Sequence, residues 1–218
     1  MKNIAVILSG CGVFDGSEIH ESVLALMNIE KVGASYQCFA PDVAQMHVVN
    51  HLTGEVAEQE SRNVLVESAR IARGEVKAVS ELKAADFDAL ILPGGFGAAK
   101  NLCNFATEGA DCVMNAEVKA ACQDFAQARK PAGFICIAPA MIPLVYGQGS
   151  KATIGTDKDT GDAITAMGSE HINCEVDECV VDEANMVVST PAYMLAGSIM
   201  QANSGIEKLV AKVIELVG

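Results

Sequence analysis

The sequence predicts an α/β domain: a mostly parallel sheet with helices on both faces. Three observations carry that reading. Short β-rich runs alternate with longer segments of helical period. The runs at Ala89–Leu92 and Pro131–Ile135 are short and apolar, as strands buried on both faces are. No linker, repeat or low-complexity tract interrupts the order, so residues 1–218 predict a single domain.

Taken in order, Asn3 to Leu8 is the first strand. After the loop from Ser9 to Gly16, apolar Ile19, Val23, Leu26 and Met27 recur at helical spacing, and Gly33 is placed to end the helix. Ala34 to Ala40 is a second strand, closed by Pro41 and Asp42. Ser61 is placed to cap a helix that carries Val64, Leu65 and Ile71 and ends at Gly74. Ala89 to Leu92 stops abruptly at Pro93-Gly94-Gly95. Cys112 to Ala128 has helical period, with Val113, Val118, Cys122 and Phe125 turned inward. Pro131 to Ile135 leads into Ala138 to Tyr146, a helix whose first turn tolerates Pro139. Val180 and Val181, then Met186 to Ser189, predict a hairpin or paired late strands. Ile206, Leu209, Val210, Val213, Ile214 and Val217 form one stripe on the last helix.

Charge narrows the function. Fifteen basic residues against 28 acidic ones give a net charge of −13, which repels phosphate backbones and anionic membranes, so neither nucleic acid nor a membrane is expected as a partner. The opening MKNIAVILSG is too short an apolar run for a membrane span and lacks a signal-cleavage pattern, so a cytoplasmic location is expected. Eight cysteines in such a chain are expected to remain thiols. No metal site is expected. Cys103, Cys112 and Cys122 are spaced too widely for a zinc knuckle, Cys174 and Cys179 lack a nearby histidine pair, and His47 with His51 lacks a third ligand.

Ligands of open parallel sheets bind beyond the carboxyl ends of the strands. Three loops fall there: Ser9 to Gly16 with Glu18 and Glu21 following, Pro93 to Gly97, and Gly133 to Ala138. Cys136 stands at a strand-to-helix junction, where a sharp turn exposes a nucleophile. Helix N-terminal amides favour the thiolate there, and a fall of about two pKa units corresponds to roughly 2.7 kcal/mol. Attack on a carbonyl creates an oxyanion, for which the amides of Gly95 and Ile137 are the candidate donors. A proton carrier is also required, and Glu18 and Glu21 at the start of the first helix are the candidates. Acidic residues there also complement the helix dipole, and Asp15 with Glu18 has capping-box spacing. His20, beside these carboxylates, is expected to be a solvated side chain.

The segments SGCGVFDGSEIHE, CFAPD, NHLTGE, LPGGFGAAKNL, GFICIAPAM, TIGTD and VVSTPAYM resemble, nearly end to end, the ElbB family of isoprenoid-biosynthesis-associated, glyoxalase-like proteins. That family lies in the PfpI-like branch of the class I glutamine amidotransferase-like superfamily. The resemblance implies a flavodoxin-like sheet, a nucleophile-elbow cysteine at Cys136, oxyanion donors at Gly95 and Ile137, and a homodimer. It implies a proton-sharing glutamate as well: counting back from the glycine that ends the first helix gives Glu21, and counting forward from the strand gives Glu18. The implied activity is conversion of glyoxal, a small dicarbonyl substrate, to glycolate with no cofactor, or protein deglycation by the same chemistry. The family's triad histidine is missing, since Ile137 follows Cys136 and the next histidine is His171, which argues against amide hydrolysis. Two other classes compete: a redox sensor in which Cys11 resolves an oxidised Cys136, and a non-catalytic accessory or binding protein linked to isoprenoid biosynthesis.

Overall fold

The computed structural model spans Met1 to Gly218. Seven strands make one sheet: β1 (Asn3–Ile7), β2 (Ser35–Ala40), β3 (Val76–Ala78), β4 (Ala89–Leu92), β5 (Ala132–Ile135), β6 (Val180–Asp182) and β7 (Val187–Thr190). Their spatial order is β3-β2-β1-β4-β5-β7-β6. All neighbours pair in parallel except β6 with β7, the late hairpin, whose register sets Val181 opposite Val188. Without the two edge strands the order is β2-β1-β4-β5-β7, a flavodoxin-like sheet whose strand order, not strand direction, reverses between β1 and β4.

The helices are α1 (Ile19–Lys31), α2 (Val64–Ile71), α3 (Ala116–Gln127), α4 (Ile142–Tyr146), α5 (Lys158–Ala166) and α6 (Ile199–Val217). Strand side chains alternate between two apolar layers, as the pleat requires. Ile4, Val6, Ala89 and Ile91 face α1 and α6, meeting Leu24, Ile29, Ile206, Leu209 and Val213. Ala5, Ile7, Leu90 and Leu92 face the other way, toward Val118, Cys122 and Phe125 of α3 and Ile142 of α4. Both faces are therefore covered, and the loops at the carboxyl ends of β1, β4 and β5 gather at one edge. No helix is long and apolar enough to cross a membrane.

Several expectations need correction. Ile19, Val23 and Met27 lie on the outer face of α1, each between 43% and 49% exposed, because Leu24, Ala25, Leu26 and Ile29 turn inward instead. Apolar residues all round that helix hid its true inner face from a period count. Asn63, not Ser61, caps α2, accepting from the amide of Val66 at 3.0 Å. Helix α3 starts only at Ala116, capped by Asn115, and leaves Val113 63% exposed. Ala138–Met141 is a 3-10 turn that runs into α4. The short edge strand β3 and helix α5 carried too weak a pattern to be anticipated.

Phe125 is fully buried among these side chains. Phe125→Ala is expected to lower unfolding free energy by about 3–5 kcal/mol, and Val113→Ala by no more than about 0.5 kcal/mol. Urea denaturation of the two variants checks the contrast.

Candidate active site

Cys136 follows β5 directly, and its backbone is left-handed, with φ +64°. Such a conformation is costly for a residue with a Cβ, and it is enforced here by the register of β5 against β7: the Cys136 amide donates to the Thr190 carbonyl at 2.9 Å. The sulfur thus leaves the sheet at the elbow the sequence predicts. The residue is 7% exposed.

Glu21, on the first turn of α1, is completely buried. Its Oε2 accepts from the amide of Gly94 at 3.0 Å and its Oε1 from the amide of Tyr193 at 3.1 Å. The Cys136 thiol lies within hydrogen-bonding reach of the same carboxyl. Glu18 has a different task. It is the N-cap of α1, and its Oε2 accepts from the Glu21 amide at 2.7 Å, so it fixes the turn that carries Glu21. Of the two candidate glutamates, Glu21 is therefore the one brought to the thiol. Asp15 does not cap; it accepts from the Val49 amide at 2.7 Å.

Two glycines make this approach possible. A Cβ on Gly94 would stand 2.4 Å from the Cys136 Cβ and 2.7 Å from Glu21 Oε2. Gly95 adopts φ +92°, and a Cβ there would meet the Glu18 backbone nitrogen at 2.3 Å. The amides of Gly95 and Ile137 both reach the Cys136 sulfur.

Electrostatics correct one expectation. Burial pushes the Cys136 thiol well above its ordinary value, the Glu21 charge pushes it further, and the amides of Gly95 and Ile137 offset this only in part. The helical-turn amides thus do not lower the thiol on balance. Burial likewise pushes Glu21 up to about 8, with Glu18 adding to the rise, against the hydrogen bonds from Tyr193, Cys136 and Gly94. The two groups form one proton-sharing pair.

Cys136 opens on a cavity of about 480 Å3. Val13, Phe96, Phe105 and Met194 supply apolar wall; Glu18, Thr160 and Tyr193 supply the polar side chains. A larger depression of about 610 Å3 lies at Met1, Lys2 and Asp88, and no cysteine, serine or histidine lines it. Cys11 stands elsewhere, beside Glu67, Arg70 and Asp15 and off the Cys136 cavity. His20 Nδ1 lies 2.8 Å from the Tyr193 hydroxyl and is exposed. His51 is held structurally, with Phe14 N donating to its Nε2 at 3.2 Å and its Nδ1 3.0 Å from the Val49 carbonyl. Tyr193 was missed from sequence; its contribution is a backbone amide, which no side-chain pattern announces, although its neighbour Ala192 is also left-handed, at φ +41°.

No family model matches the chain. It is 48% identical to the human glutamine amidotransferase-like class 1 domain-containing protein 3, mitochondrial, over 99% of this chain and 83% of that one. The chain belongs to the class I glutamine amidotransferase-like family. The rat ES1 protein homolog, mitochondrial, is 46% identical over 99% of this chain and 84% of its own length. Among solved structures, an isoprenoid biosynthesis protein with an amidotransferase-like domain from Ehrlichia chaffeensis superposes over the whole of both chains, with a TM-score of 0.93 and 37% identity. Drosophila melanogaster DJ-1beta, at 15% identity and a TM-score of 0.55, shares the fold alone. The family fold is thus the DJ-1/PfpI-type α/β sheet.

Glu21 ionises near 4.5 in an unfolded chain and near 8 in the fold. Between those values the folded protein binds the extra proton, so this group's contribution to stability is full below about 4.5 and falls as pH rises through about 8. Glu21→Gln is expected to be less stable at pH 5, where its amide nitrogen cannot accept one of the two backbone donors, and to show a flatter decline toward pH 8. Urea midpoints of both proteins across that range check it.

Proposed function

We propose that the protein is a cofactor-independent glyoxalase-type enzyme that converts a small neutral dicarbonyl, such as glyoxal, to the corresponding hydroxy acid. The observation that carries this reading is the buried Cys136–Glu21 pair beside two amides that converge on the sulfur. In the molecules whose Glu21 is ionised, the sulfur adds to one aldehyde carbon as its proton passes to Glu21. The resulting alkoxide takes the place the amides of Gly95 and Ile137 are set to serve. Glu21 then returns a proton to that oxygen, removes the one on the same carbon to give an enediolate, and delivers it to the neighbouring carbon, while the hydroxyl proton passes from the first oxygen to the second. This leaves a glycolyl thioester. Water hydrolyses it, so glyoxal and one water give glycolic acid and restore the thiol.

An aldehyde is electrophilic enough for this limited machinery, whereas an amide would need the histidine that Cys136 lacks. The cavity supports the substrate class. Its wall is largely apolar, it carries the Glu18 carboxylate, and none of its lining residues is cationic, so it favours neutral ligands over anions. Two further parts of the proposal rest on surfaces. The eight free thiols suit a reducing compartment such as the cytoplasm. The outward stripe of Ile19, Val23 and Met27 on α1 suits a homodimer.

Cys136→Ser is expected to abolish glyoxal turnover, and Glu21→Gln to lower kcat by about 10²–10⁴-fold with a smaller change in KM. Full turnover by purified Cys136→Ser would overturn the mechanism. Glyoxylate, the anionic analogue, is expected to inhibit poorly. Steady-state assays of glycolate formation read all three.

A further inference from the structure

Two thiols outside the Cys136 site stand together. Cys103 makes an antiparallel bridge with Met114. Beyond it, the Asn104 amide donates to the Val113 carbonyl at 3.1 Å, and the Val113 amide donates to Asn104 Oδ1 at 2.6 Å. On the other side, Asn115 N donates to the Leu102 carbonyl at 2.8 Å. In such a ladder, residues two apart share a face, so Cys112 falls on the face of Met114 and diagonally across from Cys103. Both cysteines are 4% exposed, and their thiols are within hydrogen-bonding reach of each other.

What they bracket gives the pair a role. Residues 104–111 form a surface excursion made of a helical turn, Phe105–Glu108, and a 3-10 turn, Gly109–Asp111. Phe105 and Ala106 from that excursion line the Cys136 cavity. The two thiols therefore sit at the neck of a loop whose body is cavity wall.

We propose that Cys103 and Cys112 form a reversible disulfide, with hydrogen peroxide as the oxidant, that locks the 104–111 loop against the Cys136 cavity. The Cys112 thiolate attacks one peroxide oxygen; the O–O bond breaks, hydroxide leaves and takes up a proton to become water, and Cys112 is left as a sulfenic acid. Cys103 sulfur then attacks the Cys112 sulfur, the S–OH bond breaks, and a second water departs with the Cys103 proton. Two thiols lose two electrons and one peroxide is reduced to two waters. A dithiol reductant reverses the bond by exchange.

The assignment of attacker and resolver follows from the same contact. Of the eight thiols, Cys112 alone is drawn below its ordinary value, chiefly by its contact with Cys103; that contact and burial push Cys103 up, and the Cys103 thiol donates its own hydrogen bond to the Ala98 carbonyl at 3.3 Å. Burial raises Cys38 and Cys122 to about 12 and Cys174 to about 11.

The test uses the whole protein exposed to hydrogen peroxide, then iodoacetamide, trypsin and mass spectrometry. Lys100 and Lys119 flank both cysteines, so one tryptic peptide, residues 101–119, reports on the pair. It is expected to lose two hydrogens, to take no alkyl group, and to regain two alkylatable thiols after dithiothreitol. In Cys112→Ser, Cys103 is expected to stay alkylatable under the same treatment, with a far-UV circular dichroism spectrum like that of the unsubstituted protein showing that the variant is folded. Before reduction, cleavage after Glu108 by a glutamate-specific protease is expected to slow several-fold and to recover with dithiothreitol. A peptide alkylated at both positions after peroxide, or a Cys112 sulfinate with Cys103 still free, would overturn the disulfide. Unchanged cleavage after Glu108 in the linked protein would overturn the lock.

Discussion

The site depends on one burial: a carboxyl group enclosed at the start of α1 and held by amides from two distant parts of the chain. Gly94 follows β4 and Tyr193 follows β7, so Glu21 ties together loops that the sheet only brings near each other. An isolated carboxylate in that position would be costly to desolvate. Two backbone donors and a neighbouring thiol change the balance, and retention of a proton completes it. The same arrangement explains why the thiol is not simply acidified by its helical turn: it is buried, and it shares its enclosure with a potential negative charge. When Glu21 carries the proton, that charge disappears and its O–H can face the sulfur. Reactivity then belongs to the pair, because a charge on one member opposes ionisation of the other.

Around that pair, local structure and tertiary packing agree. The Glu18 cap fixes the first turn of α1, Leu24 and Ile29 fix its distance from the sheet, and the absent side chain at Gly94 lets Glu21 and Cys136 occupy adjoining space. A buried asparagine joins the loops from behind: Asn101 Nδ2 donates to the carbonyls of Ser9 and Asp15 at 2.9 Å each, and its Oδ1 accepts from Met46 N at 2.9 Å. The polar groups of those loops are thus paired within the protein, which is what a loop needs to lie close to a core.

Much of this was legible in the sequence, and the remainder was hidden for identifiable reasons. The central strands and the last helix follow from short apolar runs and a clean stripe. The elbow follows from Cys136 standing between such a run and a proline-tolerant turn, and the opposing loops from Gly94 and Gly95. The inward face of α1 was not legible, because Ile19, Val23 and Met27 mimic a core stripe with the wrong phase. Nor was the choice between Glu18 and Glu21: both lie near the helix start, and only the position of the first hydrogen-bonded turn makes one a cap and sends the other inward. Contributions made by main-chain atoms, as at Tyr193, leave no side-chain signature. The sign of the thiol's displacement follows first from its burial and then from the charge of its neighbour, neither of which spacing alone provides.

The left-handed backbone at Cys136 has an evolutionary reading. Non-glycine residues pay of the order of 1–3 kcal/mol for such geometry, and glycine would be relieved of it. A lineage with no use for the sulfur would therefore drift toward glycine at this position and become sturdier. A cysteine kept on a strained bend would set selection for chemistry against selection for robustness, which makes this one codon a measure of whether a descendant still works.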